Sequence, residues 1–205
     1  MNFNIQIEGI EQLKRKLDPQ IIKRAMAATL NEMGTAIKTE MAEQITGRYM
    51  LTSARTKEGI KIKNKATPSK LTAEVTFIGR TPGLQHFKAK QITTSGVQYS
   101  IGKHGIIGRK LKRKKPSMGV SVEIIRGQRK TVRGAFMAFM PKGGTGVWKR
   151  LGKNRTPIER KFGPSIKGMF LATAGVKKVQ EIVSTKINKS FHRNYERYLY
   201  LQRRR

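Results

Sequence analysis

Cysteine is absent from the 205-residue sequence, which excludes several kinds of site at once. Without it there is no disulfide framework, no thiolate nucleophile and no cysteine-bound zinc. The three histidines, His86, His104 and His192, lie far apart in the sequence, and none has a second metal ligand at helical or turn spacing. We therefore expect neither a metal nor any other cofactor.

Acidic residues are scarce, with 12 Asp and Glu in the whole chain and a single aspartate, Asp18. They are scattered, whereas a two-metal nuclease site needs clustered carboxylates. No Gly-x-Ser-x-Gly elbow and no Gly-x-x-x-x-Gly-Lys-Ser/Thr loop occurs either. The sequence therefore predicts a protein that is not an enzyme.

Long apolar runs are also missing. No window approaches the roughly eighteen apolar residues of a membrane-spanning helix, so none is predicted. The first residues, MNFNIQIEGIEQL, lack the basic and then apolar pattern of a secretion signal. We expect a soluble protein that is made in the cytoplasm of a bacterium and has no membrane partner.

Basic residues dominate the charge, because 44 Lys and Arg against 12 acids give a formal net charge of +32. Such a chain repels itself and needs polyanionic or acidic neighbours, of which nucleic acid is the commonest. Between Glu74 and Glu159 a single acid, Glu123, stands against nineteen Lys or Arg. The stretch 102–115 supplies our candidates for contact with a polyanion or an acidic partner: Lys103, Arg109, Lys110, Lys112, Arg113, Lys114 and Lys115.

The alternative interpretation of this basic stretch is a solvated face, and an acidic protein ring would serve as a neighbour as well as nucleic acid. No helix-turn-helix, zinc-finger or RNA-recognition pattern is visible. Any contact with nucleic acid is therefore expected to be with phosphates and to carry no sequence preference.

Apolar residues at intervals of three and four predict two long helices. The first runs from residue 19 to 46, with Asp18 as its N-cap and Gly47 as its C-cap. The second runs without interruption from residue 165 to 200, and residues 195–205 form a basic tail. The stripe of the first helix comprises Ile22, Met26, Leu30, Met33, Ile37, Met41 and Ile45. We interpret that stripe as core, with contact to a neighbouring subunit as the alternative.

Alternation of apolar and polar residues predicts several short strands. They lie at residues 2–7, 59–65, 71–78 and 120–124, and a further candidate lies at 97–101. We expect 59–65 to be an edge strand that forms a hairpin with 71–78. Residues 79–119 are otherwise predicted as a long basic loop or arm, and residues 127–133 as a basic turn.

The stretch 134–166 organises the C-terminal half. Residues 135–140 are apolar at every position, so we expect this strand to be buried on both faces. A turn at Gly143 and Gly144 then leads into a second strand around Val147 and Trp148, which predicts a hairpin. The fold predicted from all these elements is α+β, with one domain over residues 1–205. A small, mostly antiparallel sheet of about five strands packs against the long N-terminal and C-terminal helices, and the basic arm extends from it.

The order of features from 134 to 166 resembles the minor tail protein Z family of tailed phages and prophages. The residues that carry the resemblance are Phe139, Gly143, Gly144, Gly146, Val147, Trp148, Arg150, Arg155, Pro157, Ile158, Glu159, Phe162, Gly163, Pro164, Ser165 and Ile166. The match is dense over about thirty residues, and over the N-terminal helix only length and pattern agree.

The resemblance implies a structural protein of the virion that completes the head-proximal end of a long tail and helps to join tail to head. It further implies a homo-oligomer, a hexameric ring matching the sixfold symmetry of such tails, with connector, terminator and tube proteins as neighbours and the end of the packaged DNA as a candidate contact. The alternatives are a non-specific nucleic-acid-binding protein and a component of the tail interior or distal tip.

Two parts of the motif, Trp148 and the segment from Pro157 to Pro164, can be interpreted further. Trp148 is either a hairpin residue that covers the edge of the core or an anchor at a subunit interface, where tryptophan is enriched. The segment from Pro157 to Pro164 is interpreted as a rigid loop that directs the last helix. Within it, Glu159 is a candidate ion-pair partner of Arg155.

Overall fold

The computed structural model describes residues 2–5, 18–93, 98–102, 105–107, 117–141 and 143–204. The chain forms two compact units. We call Met1–Ile45, Ser53–Gly79 and Ile166–Arg205 the helical unit, and Thr46–Thr52 and Arg80–Ser165 the strand unit. The single domain over residues 1–205 stays a prediction.

The helical unit combines a three-stranded antiparallel sheet with long helices. Its elements are β1 (Asn2–Ile5), α1 (Pro19–Arg48, whose last three residues belong to the strand unit), α2 (Ser53–Glu58), β2 (Ile60–Asn64), β3 (Ala73–Phe77), α3 (Ile166–Ala172) and α4 (Gly175–Arg203). The strand order is β1-β3-β2, so the predicted hairpin of β2 and β3 is confirmed and β2 lies at the edge. The remainder of the predicted 2–7 strand lies outside the described residues.

The start of α1 follows from the side chain of Asp18. Its Oδ1 accepts a hydrogen bond of 2.8 Å from the Gln20 N–H, one of the backbone donors that a helix leaves unpaired in its first turn. This bond, and then one from Gln202, lowers the pKa of the Asp18 carboxyl. Every residue of the predicted apolar stripe is buried, as a core role requires. The predicted C-cap was wrong, because α1 continues through Gly47 to Arg48.

The C-terminal helix is divided, whereas one continuous helix was predicted. The break lies at Thr173 and Ala174, where Ala174 has left-handed backbone angles, φ 53° and ψ 34°. The Thr173 hydroxyl donates to the carbonyls of Met169 and Phe170, both at 3.0 Å, which satisfies the free end of α3. The separate α3 lets the buried Phe170 ring stack on Phe77 at a centroid distance of 4.0 Å.

Helices α1 and α4 run antiparallel and are joined by polar side chains. Arg193 bonds Glu32 at 2.7 Å, Lys186 bonds Glu40, and Gln202 donates to Asp18 at 2.9 Å. The buried Asn194 donates to the hydroxyl of Thr29 at 3.2 Å. Along α1 the paired residues come in the opposite order to their partners along α4, which shows that the two helices are antiparallel.

The strand unit contains the other two sheets. Its elements are β4 (Lys90–Thr93), β5 (Gln98–Gly102), β6 (Gly105–Ile107), β7 (Ser117–Ile125), β8 (Gln128–Arg133), β9 (Ala135–Met140), β10 (Gly144–Arg150), β11 (Ile158–Arg160) and a 3-10 turn at Leu84–His86. A five-stranded antiparallel sheet has the order β6-β5-β4-β7-β8, and a three-stranded one has the order β11-β10-β9. The predicted α+β class is confirmed, with the strands distributed over three antiparallel sheets.

Two segments differ from what their local pattern predicted. Strands β4, β6 and the start of β7 lie within 79–119, the range predicted as a loop or arm apart from the candidate strand at 97–101, which corresponds to β5. Residues 127–133 were predicted as a turn, but Gly127 alone lies in the turn and the rest form β8. Strand β8 is stabilised by its hydrogen bonds to β7 and buries almost no side chain. An apolar alternation therefore never arises in its sequence.

Candidate functional site

Among the described residues, the sheet of β9, β10 and β11 has a covered face with buried side chains and an uncovered face whose side chains are half-buried or exposed. On the covered side Ala135, Met137 and Val147 are buried. The buried side chain of Gln91 accepts from the Met137 N–H and donates to the Gly119 carbonyl, both at 2.7 Å, and so joins β9 to β7. The other side of β9 is only half-buried, so the expectation that this strand is buried on both faces was wrong.

We call the uncovered side the aromatic face. Register places Trp148 of β10 opposite Phe136 of β9 and Arg160 of β11, and side chains two residues apart share a face. The aromatic face is formed by Phe136, Ala138, Met140, Trp148, Arg150, Ile158, Arg160 and Phe162. All of them are half-buried or exposed, and Phe162 is 51% exposed.

At the centre of this face, the Trp148 indole and the Arg160 guanidinium lie over Gly146. The Trp148 Nε1–H donates to the Ala138 carbonyl at 3.2 Å. Arg160 donates to the carbonyls of Gly143 at 3.0 Å and Thr145 at 3.4 Å, and its guanidinium carbon lies 5.7 Å from the Trp148 ring centroid. A Cβ on Gly146 would lie 2.9 Å from Trp148 Nε1 and 3.2 Å from Arg160 Nε. Glycine at 146 therefore lets both side chains pack flat on the sheet.

Arg150 holds the other end of the face. Its guanidinium donates to the Arg155 carbonyl at 2.6 Å and lies 5.1 Å from the Phe136 ring centroid, a cation–π distance. The bond ties β10 to the loop that precedes Pro157. The sequence suggested an ion pair between Glu159 and Arg155, but Glu159 does not pair with Arg155. Instead it bonds Lys161 at 2.6 Å, because the two alternate to the same side of the chain.

The segment after β11 is held by backbone contacts inside the strand unit. The Gly163 N–H donates to the Pro82 carbonyl at 2.8 Å, and the Leu84 N–H donates to the Lys161 carbonyl at 3.2 Å. A Cβ on Gly163 would lie 2.3 Å from the ring of the fully buried Phe87. The close approach of this backbone to Phe87 therefore requires glycine. The segment from Pro157 to Pro164 was predicted as a loop, but Ile158–Arg160 within it forms strand β11.

Positive charge is concentrated in the strand unit. Its sequence contains 22 Lys and Arg against 2 Glu, a net charge of +20 of the chain's +32. Both of these acids already have basic partners: Glu123 bonds Arg129 at 3.0 Å, and Glu159 bonds Lys161. The Gly127 N–H is the main cause that lowers the pKa of Glu123. Strand β8 presents its basic side chains to solvent.

The basic stretch proposed from the sequence is not part of the described structure. Lys103, Arg109, Lys110, Lys112, Arg113, Lys114 and Lys115 all lie outside the described residues. Their contact with a polyanion or an acidic partner stays a prediction. Within the part of the chain that the structure describes, no group of three or more His, Asp or Glu is placed to hold a metal ion. No helix in that part is long and apolar enough to cross a membrane.

Comparison with known families identifies the chain. A model of the prophage minor tail protein Z (GPZ) family matches residues 7–205. The chain belongs to this family. Minor tail protein Z is a structural protein of the phage tail, so membership places the chain in the virion tail with other tail proteins as neighbours. No curated protein and no solved structure matches the chain.

The residues that carried the resemblance to the minor tail protein Z family lie mostly on or beside the aromatic face. Gly144, Gly146, Val147, Trp148 and Arg150 are on β10, Ile158 and Glu159 are on β11, and Ile166 begins α3 in the helical unit. Sequence reasoning missed Phe136 and Arg160. The alternation of Ile158, Arg160 and Phe162 was a signal that Arg160 shares a face with its neighbours. A strand of three residues is too short to establish a two-residue period.

Proposed function

We propose that this minor tail protein Z completes the head-proximal end of the tail and joins it to the head, beside the path of the DNA. In this proposal the protein acts as a structural homo-oligomer, with six copies in a ring, and no catalysis is involved. A ring requires a different surface on each side of every copy, because cyclic contacts are heterologous for any number above two. Connector, terminator and tube proteins are the expected neighbours.

The concentration of charge in the strand unit supports the proposal. A net charge of +20 on one unit needs neighbours that are anionic, because repulsion among copies would otherwise oppose assembly. Packaged DNA is the largest polyanion in a virion, and the head-proximal end of the tail is where it ends. Phosphate contacts there give affinity without any requirement for sequence.

The same charge also limits where the basic residues lie. A dense positive lining at the narrowest point of a channel would retard DNA that must pass through it. We therefore place the 103–115 stretch against the end of the DNA or against an acidic partner ring. Reversing the charge of Lys112, Lys114 and Lys115 to Glu is expected to lower the yield of joined particles, and unchanged yield and infectivity would remove this assignment.

Antibody-gold labelling of intact virions, viewed by electron microscopy, tests the position. Label at the head–tail junction is the expected result. Label at the distal tip would refute the head-proximal role and keep the tail role, and absence from all particles would refute both. Native mass spectrometry of the purified protein checks the number of copies in the ring.

A free nucleic-acid-binding protein is the second candidate, and the exposed basic strand β8 is the observation that favours it. This function predicts binding to any duplex, with an affinity that falls steeply with salt, in the absence of particles. Binding of a labelled duplex across a salt series measures it. Weak binding at physiological salt, together with a fixed copy number in virions, would exclude it.

A further inference from the structure

We propose that the aromatic face docks an acidic tail protein, and that this partner is neither nucleic acid nor a second copy of this chain. The proposal concerns the side of the β9–β10–β11 sheet formed by Phe136, Trp148, Arg150, Arg160 and Phe162 with their neighbours. It rests on the tail location that family membership gives, and it holds at either end of the tail.

The composition of the face favours a protein over nucleic acid. Three aromatic residues, Met140, Ile158 and two arginines occupy it, with no Lys, Asp, Glu or Ser. Aromatic residues, Met and Arg are enriched in protein interfaces, where Lys and acids are depleted. The lysines of the same strands, Lys149 and Lys161, alternate to the opposite side. A surface for a nucleic-acid backbone would be expected to use them.

The central side chains are fixed before any partner arrives. Trp148 is held by its bond to Ala138, and Arg160 by its bonds to Gly143 and Thr145. Arg160 also lies 5.7 Å from the Phe162 ring centroid, so one guanidinium lies against two rings. Docking therefore orders few additional rotamers, which reduces the entropic cost of association.

The two arginines lack an anionic partner within the described residues. Arg150 has a carbonyl and the ring of Phe136, and Arg160 has two carbonyls and two rings. The Nε of Arg160 is buried and has no hydrogen-bond partner. When an apolar surface covers such cations, their positive charge requires a carboxylate nearby. The partner must therefore supply acidic side chains beside apolar ones.

A second copy of the chain is poorly suited to supply them. In nine of the ten acidic residues of the described ranges, a carboxylate oxygen already bonds within its own chain. The tenth, Glu43, also interacts within its own chain. The nine are Asp18, Glu32, Glu40, Glu58, Glu74, Glu123, Glu159, Glu181 and Glu196. Glu8 and Glu11 lie outside the described residues. A second copy that used any of the ten described acids would have to break one of these contacts, and it would add its own charge of +32.

The first test places a photo-reactive benzoylphenylalanine at Phe162 in the full-length protein during assembly in the host. Leu171, which is 49% exposed in the helical unit, is the matched control position. After irradiation of purified tails, mass spectrometry is expected to find Phe162 linked to a different tail protein through a peptide that contains Asp or Glu. A link to a second copy, a link to DNA or no link would overturn the proposal.

The second test compares two neighbouring charge reversals on opposite sides of the sheet. Arg150→Glu is expected to lower incorporation into tails by roughly tenfold or more, since a buried like-charge contact costs several kcal/mol. Lys149→Glu makes the same charge change on the other side and is expected to leave incorporation unchanged. Quantitative immunoblots of purified tails measure both, and circular dichroism shows that both variants fold.

Reversal of the cross-linked partner residue from Asp or Glu to Lys is expected to restore incorporation of Arg150→Glu. Equal incorporation of the two variants, or failure of this rescue, would contradict the assignment. The outcome is separate from that of the gold labelling. Label at the distal tip would assign the protein to the other end of the tail and would leave the proposed class of partner unchanged.

Discussion

Substitution of Gly146 by alanine tests whether Trp148 and Arg160 lie flat across β10. The added Cβ would lie 2.9 Å from Trp148 Nε1 and 3.2 Å from Arg160 Nε. Since contacts this short do not persist, both side chains must move. The Trp148 bond to Ala138 and the Arg160 bonds to the β9–β10 turn would then weaken together.

The expected loss is about 1–3 kcal/mol in the free energy of unfolding, the usual cost of forcing one extra carbon into a packed site. For a chain of this size, each kcal/mol lowers the melting temperature by about 2–4 °C. The loss should lie in the upper part of the range. The reason is that the carbonyls of Ala138 and Gly143 would lose side-chain partners as well.

Trp148 supplies the assay, because it is the only tryptophan of the chain. Its fluorescence reports the position of the indole, and urea unfolding followed by the same signal reports stability. We expect Gly146→Ala to shift the emission maximum to longer wavelength and to increase quenching by iodide. Circular dichroism should keep the helical signal of the wild-type protein.

Gly152→Ala is the matched control, since a Cβ at this exposed position has nothing within 4 Å. It should change stability by less than about 0.5 kcal/mol and leave the emission unchanged. If Gly146→Ala is as stable as the wild type with the same emission, the described packing of Trp148 is incorrect. Equal losses in the two variants would point to a general effect of alanine.

Three further predictions concern the fold. Gly47→Ala should stabilise the protein by up to about 1 kcal/mol, because Gly47 lies inside α1 with open space around it. Destabilisation, measured by urea unfolding, would instead support the original prediction that Gly47 is the C-cap of α1. Gln91→Leu should cost about 2 kcal/mol or more in urea unfolding, since it leaves the buried Met137 N–H unpaired and removes a buried hydrogen bond to the Gly119 carbonyl. An equal loss from Leu at the exposed Gln128 would argue against this reason. Asp18→Ala should lower stability at pH 7, and the difference from wild type should shrink below about pH 4.

The direction of the pH effect follows from the pKa of Asp18, which folding lowers. A carboxyl with a lowered pKa stabilises the fold above its unfolded pKa of about 3.9, and this contribution is lost as the pH falls through the folded value. Urea unfolding of both proteins at pH 7 and pH 3 measures the difference. A gap between wild type and variant that widens in acid would contradict the capping role.

The helices show how far periodicity extends. The stripe from Ile22 to Ile45 repeats over about seven turns, so its burial followed from the sequence alone. The break between α3 and α4 could not be predicted from the sequence, because the helical spacing of apolar residues continues across it. The stacking of Phe170 on Phe77 accompanies this break, and the two residues are far apart in the chain.

The strands show where the alternation of apolar and polar residues fails to predict structure. The alternation in β3 predicted its hairpin, whereas β8 has one apolar residue, Val132, and is defined by its bonds to β7. The exposed side of β9 could not be predicted from Phe136, Ala138 and Met140 either. Their composition favours burial, and no local pattern records that β9 has a covering layer on one side only.

The sequence by itself determined the charge of the chain, the two helical stretches, the hairpin of β9 and β10 and the family, because each depends on composition or on residues close together in the chain. The tertiary structure alone decided that Arg160 crosses to Trp148 and that the acids of the strand unit are already paired. It also decided which side of β9 is left uncovered. These depend on strand register and on contacts between distant segments, which set where a side chain points and what remains exposed.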